Sequence, residues 1–139
     1  MEKEELDQVK KIGQKYDLDF ILLYGSQAKG KSVTKESDFE LAIYRRDDIV
    51  PEDYFGIYLE LNKVFAGQNL DLKTLAGTDT LLRFQIIKDG IPLYIKDQTL
   101  YHEFYAFAYK DFHDSQSLFN LAKLMQEKRQ EYLERQYAW

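Results

Sequence analysis

The chain has no cysteine among its 139 residues, which excludes disulfides, thiolate nucleophiles and cysteine-ligated zinc. Histidine is nearly missing too: His102 and His113 stand far from any spacing that would hold a metal. No apolar run approaches the roughly 20 residues needed to span a bilayer. Positive charge is in deficit, 19 Lys and Arg against 24 Asp and Glu, for a net charge of -5. Broad contact with a nucleic-acid backbone normally requires a basic face, so no direct nucleic-acid binding is expected. The densest local basic cluster is Lys29, Lys31 and Lys35. The first residues, MEKEELDQVKK, are too charged for a secretory signal, and a soluble cytoplasmic protein is the expectation. Repeats, low-complexity tracts and linkers are also lacking.

Hydrophobic residues make up 45% and charged residues 31%, the balance of a globular chain. The length suits one domain over 1–139, with a core over about 3–97 and C-terminal helices over about 98–137. Leu6, Val9, Ile12 and Tyr16 recur at helical spacing. FILLY, 20–24, suits a buried strand, and FELAIY, 39–44, alternates Phe39, Leu41 and Ile43 with Glu40 and Ala42. Pro51 can open a helix that Gly67 closes. NLDLKTLA, 69–76, reads as a third strand, 79–88 as a short helix, and IPLYI, 91–95, as an edge strand that tolerates Pro92. From Thr99 the pattern is helical with a break near 111–115, where Asp114 or Ser115 would cap a last helix. This order predicts an α/β (α+β) domain with a helical tail.

The stretch YGSQAKGKS, 24–32, spells G-x-x-x-x-G-K-S from Gly25. A P-loop must lead into a helix of ten or more residues with its own apolar stripe. Only Val33 is apolar between Lys31 and Phe39, so the motif lacks its context. Gly25-Ser26 at a strand end instead makes a tight turn able to hold a triphosphate. Asp38 and Glu40, two apart on a strand, project from one face. Asp71 is flanked by Leu70 and Leu72 as Glu40 is by Phe39 and Leu41. On neighbouring strands the three carboxylates would converge, and such a cluster needs cations to stay ionised. Mg²⁺ takes hard oxygen donors and completes its shell with phosphates. A solvated strand face is the competing reading of Asp38 and Glu40, and a plain surface lysine that of Lys29.

GSQAKG, SDFELAI and LDL together resemble the nucleotidyltransferase signature of the polymerase β superfamily. The short length and LLRFQIIKDGIPLYIKD, followed by an aromatic-rich helix, are similar to the minimal nucleotidyltransferases (MNT) paired with HEPN-family ribonuclease toxins. The resemblance covers roughly residues 5–115 and implies a short mixed sheet flanked by helices. It implies transfer of AMP from ATP to a tyrosine hydroxyl of the toxin, silencing it, with two Mg²⁺ ions clamping the displacement. Asp38 and Glu40 would bind both ions, and Asp71 would complete the site beside the acceptor. Gly25, Ser26 and Lys29 would hold the phosphates. The family more often has Asp at the position of Glu40 and Arg at that of Lys29. Neither histidine follows an Arg-x4-6-His arrangement, so the chain is not the toxin half.

Two other functions fit the same residues: an antitoxin acting by docking alone, which the Glu40 departure keeps open, and a small-molecule adenylyltransferase of the aminoglycoside-modifying kind. The latter enzymes usually carry an additional helical domain, for which this chain has little room. Arg83 is expected to serve structure before phosphate. The amphipathic end, LFNLAKLMQEKRQEYLERQYAW, either packs on its own domain or meets a partner.

Overall fold

Four short strands form one mixed sheet in the computed structural model, which describes residues 1–25, 28 and 38–137, the side chain of Asp38 excepted. They are β1 (Phe20–Tyr24), β2 (Asp38–Tyr44), β3 (Asn69–Thr74) and β4 (Ile91–Ile95), in the order β3-β2-β1-β4. β1 is antiparallel to both β2 and β4, whereas β2 and β3 run parallel. FILLY is buried along its whole length because β1 is central and covered on both faces. β4 lies at an edge, where Pro92 removes no needed donor.

The two-residue alternation divides the core. Ile21, Leu23, Phe39, Leu41, Ile43, Leu70 and Leu72 face one way and pack against Val9 and Ile12 of helix α1 (Lys3–Lys15). Ile57 and Leu61 of α2 (Pro51–Val64) close the same layer, each fully buried. Burying such a side chain contributes about 1.5–3 kcal/mol. Tyr54 of α2 ties this layer to the sheet by donating to the Leu72 carbonyl at 2.7 Å.

Phe20, Leu22, Tyr24 and Ala42 face the other way. They meet Ile86 and Ile87 of α3 (Thr80–Asp89) and Tyr101 and Ala108 of α4 (Gln98–Gln136). Phe20 packs edge-on against Tyr101 and stacks on Tyr44, both at 5.2 Å. These rings are the part of the aromatic content that packs this layer of the core; Phe55, Phe107, Phe119 and Tyr132 are exposed instead. Asp79 caps α3 by accepting from the Leu82 amide, and Asp97 caps α4 through the Thr99 and Leu100 amides.

Two boundaries differ from the sequence-based expectation. The third strand stops at Thr74, and Leu75–Gly77 form a single 3-10 turn that buries Leu75. The break expected near 111–115 does not exist: α4 is one helix of 39 residues. Asp114 and Ser115 are good caps only where a helix must start. No proline or glycine lies between Gln98 and Gln136 to stop one, and mid-helix Asp and Ser cost only a few tenths of a kcal/mol, at most about 0.7. Phe84 of α3 stacks on Phe112 at 4.2 Å and 4°, holding α4 helical through the expected break.

Candidate active site

The parallel pairing of β2 and β3 sets Glu40 directly opposite Asp71 and Asp38 opposite Asn69. Neighbouring strands run about 4.8 Å apart. Leu70, Leu72, Phe39 and Leu41 belong to the layer under α1 and α2, so Glu40 and Asp71 share the face turned toward α3 and α4. The equivalent apolar flanks, Phe39 and Leu41 on one strand and Leu70 and Leu72 on the other, lie in register.

On the other side of Glu40 lies β1, where Tyr24 is its antiparallel register partner. Gly25 follows at φ +77°, and a Cβ there would run into the Glu40 carboxylate. The backbone angle favours glycine, and a side chain there would have to displace the Glu40 carboxylate. Gly25→Ala is expected to lower stability by about 1–3 kcal/mol through strain alone and to push the Glu40 side chain aside. A thermal melt beside a Mn²⁺ titration would register both effects.

Asp71 has Lys73 Nζ at 3.5 Å, an ion pair open enough to solvent to contribute little. Tyr24 is 7% exposed, and its hydroxyl has no hydrogen-bond partner among the described residues. Burial first, then the charges of Asp71 and Glu40, push its phenol well above the ordinary tyrosine range, so it stays protonated. A cleft of about 540 Å³ opens beside these groups, lined by Tyr24, Gly25, Glu40, Gln85, Lys88 and Phe112 among others.

Of the residues singled out by sequence, Gly25, Glu40 and Asp71 come together. Ser26, Lys29 and the side chain of Asp38 lie outside the described residues, as does most of the P-loop-like stretch. Among the described residues no three acidic or histidine side chains form a metal-binding group. The two that are paired offer only hard carboxylate oxygens, the donor type Mg²⁺ prefers, and the Glu40 carboxylate lies against the bare backbone of Gly25. Arg83 serves structure, donating to the Thr78 carbonyl at 2.9 Å and pairing with Asp111 at 3.7 Å. Tyr24 escapes sequence reasoning because it closes an apolar run; its polar tip beside the glycine bend is the available signal.

The model of the polymerase beta nucleotidyltransferase domain matches residues 7–99. The chain belongs to this nucleotidyltransferase family. Its fold is likewise that of solved relatives. One is a chain of a complex between a tri-AMPylated Shewanella oneidensis HEPN toxin and an MNT antitoxin. It is 18% identical at a TM-score of 0.60, covering 99% of this chain and 100% of that one. A second, from a toxin–antitoxin structure with AMP-PNP, is 19% identical at a TM-score of 0.63, over 96% and 98% of the two chains. A third, from the MntA–HepT toxin–antitoxin, is 17% identical at 0.59, over 99% and 100%. No curated protein matches the sequence. Beyond residue 99 the family match ends, so most of α4 lies outside the matched unit, in a part of the chain that the solved relatives also cover.

Proposed function

We propose that this nucleotidyltransferase is an antitoxin that transfers AMP from ATP to a tyrosine hydroxyl of a HEPN-family toxin and so neutralises it. The observation that carries this reading is the pairing of Glu40 with Asp71 across parallel strands, beside a bend at Gly25 in the backbone region that favours glycine. The likeness of the whole chain to antitoxins crystallised with HEPN toxins, one of them AMPylated, supports the partner and the transferred group.

In this reading Asp38, Glu40 and Asp71 hold Mg²⁺, which supplies charge neutralisation at the phosphates and a more acidic acceptor hydroxyl. Gly25, Ser26 and Lys29 orient the β- and γ-phosphates of ATP. Asp71, on the edge strand, takes the tyrosine proton. The tyrosine oxygen bonds to the α-phosphorus as the bond to the bridging oxygen breaks, and pyrophosphate leaves. The second half of α4 serves as docking surface, since every residue from Gln116 to Tyr137 is exposed. That exposure also suits neutralisation by docking alone, with the fold retained and the chemistry dispensable.

Incubation with ATP, Mg²⁺ and the partner is expected to raise the partner's mass by about 329 Da for each nucleotide added. An unchanged mass in a verified complex, with the acceptor tyrosine intact, would refute the transfer and leave docking.

A further inference from the structure

Buried hydroxyls are nearly always hydrogen-bonded, so one that is not calls for a reason. The Tyr24 hydroxyl is such a group: its side chain is enclosed, and no donor or acceptor among the described residues meets it. A phenylalanine would fill the same volume without desolvating a polar atom. The apolar packing of FILLY therefore does not account for the oxygen.

Its surroundings do suggest a use. Tyr24 is in register with Glu40, and Glu40 with Asp71, so three strands present a phenol and two carboxylates in one row on one face. A neutral phenol has one proton to give, and carboxylates only accept. A carboxylate that gives one oxygen to a cation keeps the other for a neighbouring donor, and such outer donors fix the ligating orientation. We propose that Tyr24 is a positioning residue, its hydroxyl donating to the Glu40–Asp71 carboxylate pair once that pair holds a divalent cation. The inference rests on the reading of those two acids as metal ligands. A hydroxyl without a partner among the described residues thereby gains one on metal binding, which couples the end of β1 to metal occupancy.

The test is Tyr24→Phe in the full chain, with Mn²⁺ as probe and α,β-methylene-ATP present to prevent turnover. Free Mn²⁺ is followed by paramagnetic resonance, and the melting temperature is taken without metal. The variant is expected to bind Mn²⁺ about tenfold or more weakly, with a metal-free melting temperature equal to or above that of the parent. Equal Mn²⁺ affinity would overturn the proposal. So would a metal-free melting temperature several degrees lower, since the hydroxyl would then have a partner within the fold. A parent chain that binds no Mn²⁺ would instead remove the metal reading itself, and this inference with it.

Discussion

Asp71→Asn is expected to lower nucleotide transfer by at least about a hundredfold, the usual contribution of a positioned general base, while the protein stays fully folded. Asp71 sits on the exposed edge of the sheet and is itself partly exposed, so its carboxylate is not needed to fill the core. Its ion pair with Lys73 is solvent-screened. Against that small loss stands relief of repulsion from Glu40, the residue directly opposite. Like charges so placed destabilise by up to about 1 kcal/mol. The variant should thus melt at or above the parent temperature in the absence of metal. Asn keeps the shape and one oxygen but loses the charge that would hold a cation and the capacity to accept a proton in the proposed reaction. Intact-mass spectrometry of the partner checks the transfer, and calorimetry the stability. Undiminished transfer by Asp71→Asn would take Asp71 out of the chemistry. A large drop in melting temperature would make it a structural residue instead.

Asp71 is legible in the sequence because of how strands encode faces. Leu-Asp-Leu and Phe-Glu-Leu each put one acid between two core residues, and the parallel register then brings the two acids side by side. The alternation fixes which face an acid occupies but not which strand is its neighbour; the parallel pairing supplies that. Tyr24 is hidden for the converse reason. In a strand buried on both faces every residue counts as apolar, and a single phenolic oxygen does not disturb the pattern. The continuity of α4 is not legible either, because capping preferences are local. Asp114 and Ser115 look like a helix start, yet with no breaker between Gln98 and Gln136 the Phe84–Phe112 stack decides the matter. Such a stack joins residues 28 positions apart, which no local window can weigh.

The same long helix sets up the second large effect. At about 1.5 Å per residue the segment 116–136 runs roughly 30 Å. Leu118, Leu121, Met125 and Tyr132 recur at helical spacing along it, each more than half exposed. Monomeric proteins rarely expose contiguous apolar patches of this extent, and a partner surface is the usual explanation. Leu121→Glu combined with Met125→Glu keeps good helix formers in an exposed helix, so the domain should melt as before. In the complex it would place two charges in the middle of the apolar stripe. Loss of two buried side chains at about 1.5–3 kcal/mol each, with the added desolvation of charge, predicts at least about a hundredfold weaker binding of the proposed toxin partner. Isothermal titration measures the affinity directly. Transfer then separates the two predictions: the helix variant should need far more toxin for half-maximal rate yet approach the parent rate at saturation. Asp71→Asn should bind the proposed toxin partner like the parent and transfer at least about a hundredfold more slowly even at saturation. Parent-like affinity in the helix variant would mean that the toxin is held elsewhere, and the exposed stripe would need another occupant.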